Sequence, residues 1–136
     1  MKPLTEDYNL VVRALIEKGE VDCSMLDPQK IKEFEEVAEK MYSNGALAES
    51  ISVYAMTGNK TRLLELGKEA LEKNMIEWAF NAFRSAKDPK GLIDAGNAFL
   101  GEGRIRNAYY CFKLSGDPVM IQFFEANWKE GVDYYL

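Results

Sequence analysis

The sequence contains no histidine, so it lacks the side chain that most often acts as a general base or binds a metal ion. It has two cysteines, Cys23 and Cys111, and their separation does not fit the spacing of paired metal ligands. The nearest approach to a phosphate-binding glycine loop is the stretch 101–103, which a turn between two helices explains better. We therefore predict a protein that is not an enzyme and has no catalytic, cofactor-binding or metal site.

Basic charge and long apolar runs are also scarce. The formal net charge is −5, whereas nucleic-acid binding needs a basic face, so no nucleic-acid partner is expected. No run of 18 apolar residues is present, which argues against membrane insertion, and residues 1–12 lack the pattern of a signal peptide. These features predict a cytoplasmic protein. An apolar content of 47% over 136 residues predicts one globular domain, 1–136.

The two cysteines are predicted to differ in environment. Cys111 falls inside a predicted helix, where it is expected to act as a small buried apolar side chain. Cys23 falls in a segment without clear periodicity, and the sequence leaves open whether its thiol is reactive.

What the sequence does contain is an internal repeat with a period of 29 residues. Two positions of the repeat keep their residue type in three copies. One position holds a helix-capping side chain, at Asn59, Asp88 and Asp117. The other holds an aromatic ring, at Tyr54, Phe83 and Phe112. A period of this size is typical of stacked helical units, in which no unit can bury its apolar face alone.

Apolar periodicity and the placement of proline and glycine predict eight helices, of which the first, 5–18, stands outside the repeat. The others span 28–44, 46–56, 60–73, 75–86, 89–100, 104–114 and 118–130. They form three pairs, 28–58, 59–87 and 88–116, followed by a terminal helix and tail over 117–136. The predicted fold is all-α, a right-handed superhelix of three hairpins with an extra N-terminal helix and a C-terminal half repeat.

Small and large residues follow a fixed order within each pair. The first helix carries a small residue, and the second carries another small residue and then an aromatic one; in the second pair these are Gly67, Ala79 and Phe83. Two helices approach most closely where both side chains are small, so Gly67 is expected to face Ala79. This order resembles the tetratricopeptide repeat, although that family's period is 34 residues. The shorter form is similar to helical repeats of coatomer and intraflagellar-transport proteins, and the resemblance covers residues 31–130.

The resemblance implies an α-solenoid that binds a peptide or helix in a groove lined by its first helices. The positions that correspond to such a groove are Glu35, Glu39, Tyr42, Leu64, Lys68, Leu71, Ile93, Asn97 and Leu100. The sequence leaves open whether the apolar members line a groove or are buried by the tighter packing of a short repeat.

A second candidate surface is the C-terminal end, at Phe123, Tyr134, Tyr135 and Leu136. Phe123 occupies a repeat position that is acidic in the three preceding units, and the neighbouring Phe124 and Trp128 are expected to add exposed apolar area. An open-ended array must cover such an area, so either the tail folds back over it or it forms a homodimer contact.

Two functions follow from these surfaces. The leading hypothesis is a noncatalytic scaffold that binds another protein or a peptide through the groove or the C-terminal end. The alternative is a structural subunit that self-associates through its C-terminal helix.

Overall fold

The computed structural model describes the backbone of residues 27–135 and the side chains of residues 27–127. The predicted helix over 5–18 and Cys23 lie outside these ranges. Throughout the described part the chain is helical, with seven helices: α1 (Pro28–Ser43), α2 (Leu47–Thr57), α3 (Lys60–Glu72), α4 (Ile76–Ala86), α5 (Pro89–Gly101), α6 (Ile105–Ser115) and α7 (Pro118–Tyr135). Helices α1 to α6 begin and end within one residue of the predicted positions, whereas α7 extends to Tyr135, beyond the predicted end at 130.

Polar side chains cap the first helix of each pair. Side-chain oxygens of Asp27, Asn59 and Asp88 each accept a hydrogen bond from the backbone N–H three residues later, over distances of 2.8, 3.1 and 3.1 Å. Asp117 caps α7 by accepting from the N–H of Val119 at 2.9 Å. These bonds satisfy N–H groups that have no partner within the helix, and they fix where each first helix begins.

The backbone also follows the 29-residue period. Residues with a positive φ occur at the turn within each pair and at the end of each second helix, namely Gly45, Asn74 and Gly103, and Gly58, Lys87 and Gly116. Five of these six residues are glycine or asparagine, the types that adopt the left-handed conformation most readily. Lys87, with φ of 53°, is the exception.

The core is one continuous cluster in which aromatic rings lie on glycines. A β-carbon added to Gly67 would come within 2.8 Å of Cε1 of Phe83, and one added to Gly96 would come within 2.6 Å of Cε1 of Phe112. We predicted that Gly67 faces Ala79; the atoms nearest to a β-carbon at Gly67 belong to Phe83, one turn further along the same partner helix. The small residue thus admits a large partner.

Each helix packs against the next one in sequence, and α2 also packs against α4, as α3 does against α5. A hydrogen bond between α1 and α3, and another between α1 and the cap of α3, extend this pattern to the first helices of the first two pairs. Consecutive helices therefore share apolar contacts, and the candidate interaction surfaces lie on the outside of these packed helices.

Candidate interaction surfaces

The predicted groove contains an ion-pair network where α1 meets α3. Nη2 of Arg62 lies 3.1 Å from the carboxylate of Glu39, and Nη1 lies 2.8 Å from Glu65. The Tyr54 hydroxyl donates to Glu39 at 2.7 Å, and the Arg62 guanidinium also stacks over Tyr42, 4.8 Å from the ring centre. Burial, followed by the hydrogen bond to Glu39, raises the pKa of Tyr54, so this hydroxyl remains a donor.

The other two groove positions on α1 are also bonded to the second pair. The Tyr42 hydroxyl donates to Glu69 at 2.8 Å, and this hydrogen bond raises the pKa of Tyr42. The amide of Asn59 donates to Glu35 at 3.1 Å. Lys73 lies 3.9 Å from the second oxygen of Glu69, a distance that gives an ion pair but no hydrogen bond. Glu35, Glu39 and Tyr42 thus join neighbouring helices.

The groove positions on α3 and α5 divide by polarity. Lys68 and Asn97 are exposed. The four apolar positions are half-buried and pack against the core: Leu64, Leu71, Ile93 and Leu100. Each apolar side chain therefore contributes to helix packing and leaves part of its surface accessible. These four residues are neither completely buried by the short repeat nor completely exposed in a groove.

A cleft that the sequence analysis missed opens between α4 and α6; we call it the aromatic cleft. Its volume is about 510 Å³, within the range of ligand pockets. The lining residues are Glu77, Phe80, Asn81, Phe99, Arg106, Asn107 and Tyr110. Phe80 makes edge-to-face contacts with Phe99 and Tyr110, with ring centres 6.4 and 5.8 Å apart. Three aromatic rings from three helices thus form one wall.

The C-terminal end exposes apolar side chains near the junction of α6 and α7. Val119 and Phe123, one turn apart on α7, are 72% and 52% exposed, and Leu114 on α6 is 42% exposed. We call these three residues the apolar end. The prediction that Phe124 would add to it is wrong: this ring is fully buried, stacked on Tyr109 with centres 5.0 Å apart. Tyr134, Tyr135 and Leu136 were also predicted to belong to this surface, but their side chains lie outside the part of the chain that the structure describes.

Within the described residues, no group of three or more cysteine, aspartate or glutamate side chains is arranged to hold a metal ion. No described helix is long and apolar enough to cross a membrane. Comparison with protein-family models, curated proteins and solved structures gave no match. Function therefore has to be argued from the surfaces themselves.

Proposed function

We propose that this protein is a noncatalytic protein-interaction module that binds a helix or peptide of another protein at its apolar end. In this proposal the helix pairs form a short right-handed superhelical stack similar to tetratricopeptide arrays. The support is the recurrence of caps and left-handed residues every 29 positions, together with packing between equivalent helices of neighbouring pairs.

One observation carries the choice of surface. Among the described residues, four large apolar side chains are well exposed: Leu114, Val119 and Phe123 form the apolar end, and Tyr110 lines the aromatic cleft. The predicted groove contrasts with this end, because its polar positions on α1 are bonded to neighbouring helices and its apolar positions are half-buried. Exposed apolar residues grouped at one end of a molecule are typical of a protein-binding surface.

The repeat supports the same choice. Phe123 occupies the position held by Glu36, Glu65 and Asp94 in the three pairs, and all four side chains are exposed. Three copies therefore place a charge where the last copy places an aromatic ring. A change from charged to aromatic at an exposed position favours a contact that excludes water, since aromatic residues are enriched and charged ones depleted at the centres of interfaces.

The alternative is self-association through the same helix. Val119 and Phe123 form a single apolar stripe, and a two-fold contact between two such stripes would be self-complementary. This subunit function uses the same residues and differs only in the partner, so one pair of variants tests both functions.

The test compares Phe123→Glu with Gln122→Glu, its exposed neighbour, because both variants add one negative charge to α7. Tagged protein is used to capture partners from an extract of the source organism, and light scattering measures its mass. A partner retained by Gln122→Glu and lost with Phe123→Glu supports the module. A dimer that Phe123→Glu alone dissociates supports the subunit. A monomer whose captured proteins all persist with Phe123→Glu contradicts both.

A further inference from the structure

Arginine side chains surround the aromatic cleft, although the protein as a whole is acidic. Arg106 lines it, Arg84 lies over the Phe80 ring at 5.3 Å, and Arg104 lies over the Phe99 ring at 4.9 Å. The acidic side chain in the lining is Glu77, and Arg104 already pairs with it at 2.6 Å. Glu102 lines a neighbouring pocket together with Glu77 and Arg104. Three guanidinium groups against two carboxylates leave a net positive charge around the cleft, although the whole chain carries −5.

Three polar side chains of the cleft have no protein partner among the described residues. Arg106 makes no ion pair there, and the side-chain amides of Asn81 and Asn107 make no hydrogen bond to the protein. An asparagine amide offers one acceptor and two donor hydrogens, which match the N–H and C=O groups of an extended peptide. The cleft thus combines an apolar wall with donors and acceptors that remain available to a ligand.

Two copies of the repeat differ at the aromatic cleft. Asn107 of α6 occupies the position held by Trp78 in α4, and the Trp78 side chain packs against the core. The backbones of α2 and α4 approach closely at several places, whereas those of α4 and α6 scarcely do. The wider separation of α4 and α6 leaves space that the Asn107 side chain, smaller than the indole ring of the preceding copy, does not fill.

We propose that the aromatic cleft binds an acidic peptide segment of another protein, with one bulky apolar side chain against Phe80 and Tyr110. The occupant is argued from charge complementarity: carboxylates on either side of the apolar anchor would pair with Arg106 and Arg84, and the anchor would cover the exposed half of the Tyr110 ring. The site is separate from the apolar end and does not depend on the function proposed for it.

The probe is a fluorescein-labelled heptapeptide whose central residue, phenylalanine, tryptophan or leucine, has three acidic residues on each side. Control peptides carry serine at the centre or lysine on both sides. Fluorescence anisotropy against the full chain is expected to show binding of the acidic peptides with an apolar centre, weaker at high salt because the contacts are partly ionic. Absence of binding by every acidic peptide up to about 1 mM overturns the proposal.

Two substitutions locate the binding site. Arg106→Glu is expected to weaken binding about tenfold or more by removing a charge-assisted hydrogen bond. Lys60→Glu, at an exposed site at the start of α3, makes the same change in charge and is expected to leave binding unchanged. Asn107→Trp places an indole ring in the cleft and should abolish binding. If Arg106→Glu fails to fold, Arg106→Gln is used in its place.

The apolar end provides the opposite test. Phe123→Glu is expected to leave peptide affinity unchanged, because Phe123 does not line the aromatic cleft. If Phe123→Glu abolishes peptide binding while Arg106→Glu does not, the peptide binds the apolar end and the cleft proposal is wrong. Equal effects of Lys60→Glu and Arg106→Glu would show that binding depends only on the net charge of the protein, and would also overturn the cleft proposal.

Discussion

Gly91, the third residue of α5, lies directly against the ring of Phe83 in α4, so that a β-carbon on the glycine would overlap ring carbons Cδ1 and Cγ. The other glycine touching this ring is Gly67 of α3. Phe83 is 1% exposed and is thus enclosed between the first helix of its own pair and that of the next. The contact joins the second helix pair to the third.

Substitution of Gly91 by alanine should therefore destabilise the fold. The ring has little room to move because Gly67 adjoins it, so we expect overpacking to lower the free energy of unfolding by about 1–3 kcal/mol. Gly101→Ala is the matched control, since nothing lies within 4 Å of a β-carbon there, and the better helix propensity of alanine should add up to about 1 kcal/mol. Urea unfolding of both variants measures the difference. A Gly91→Ala protein as stable as Gly101→Ala would show that the interface repacks freely.

Lys87 offers a substitution with the opposite effect. It ends α4 with φ of 53°, at the place where Gly58 ends α2 and Gly116 ends α6. A left-handed residue with a β-carbon is strained by about 1 kcal/mol. Glycine removes this strain, but its greater freedom in the unfolded chain cancels part of the gain. We expect Lys87→Gly to raise the free energy of unfolding by about 0.5 kcal/mol.

Lys87→Ala is the control, because it removes the same side chain and keeps the β-carbon. Thermal unfolding should rank Lys87→Gly above the wild type and Lys87→Ala at or below it. The reverse ranking would mean that the lysine side chain, and not its backbone conformation, determines stability at this position.

Arg62 should stabilise the contact between the first two pairs. Its side chain is 22% exposed, between Glu39 and Glu65 and above the Tyr42 ring. Arg62→Met is expected to cost about 1–2 kcal/mol, because it keeps the apolar stem and loses the charge-assisted bonds and the ring contact. Lys68→Met, at an exposed site on the same helix, should change stability by less than about 0.5 kcal/mol.

A double-mutant cycle isolates the ion pair with Glu39. Because the Glu39 side chain is 51% exposed, solvent screens the pair, and the coupling between Arg62→Met and Glu39→Gln should be at most about 1 kcal/mol. A coupling of zero would assign the effect of Arg62 to its ion pair with Glu65 and its ring contacts. Arg62→Lys tests geometry, since lysine cannot form the same forked contact with Glu39 and Glu65.

The helix boundaries were predictable from sequence because local chemistry sets them. Asp88 and Asp117, one period apart, mark helix starts, and Gly58 and Gly116, two periods apart, mark helix ends. The aromatic cleft was not predictable in the same way, since it arises where one copy departs from another. A repeat pattern treats Trp78 and Asn107 as one position, and therefore does not predict the space between α4 and α6.

The repeat itself indicates that Phe124 is buried and does not add to the exposed apolar area. Its counterparts in the preceding pairs are Leu66 and Ala95, both buried, so the repeat assigns Phe124 to the core and Phe123 to the exposed side. Adjacent residues on a helix point about 100° apart, so Phe124 can be buried while Phe123 is exposed. The repeat position was more informative here than the local concentration of aromatic residues.

Cys111 should be chemically inert in the folded protein. Burial raises the pKa of its thiol from the ordinary 9.0 to about 12, and the side chain is fully buried in α6. In a Cys23→Ser variant, which leaves Cys111 as the reporting thiol, reaction with a disulfide reagent at pH 8 should be at least about a thousandfold slower than in urea, because only the thiolate reacts. Immediate reaction without denaturant would contradict this prediction.

The same pKa shift gives a pH dependence of definite sign. Below pH 9 the thiol is protonated in both the folded and the unfolded chain, so it does not affect how stability varies with pH. Between pH 9 and about 12 the unfolded chain releases the proton and the folded chain keeps it, so the free energy of unfolding falls as the pH rises. Cys111→Ala removes this contribution while the tyrosines keep theirs. Its stability should therefore decline less steeply than that of the wild type above pH 9, by up to about 1.4 kcal/mol per pH unit.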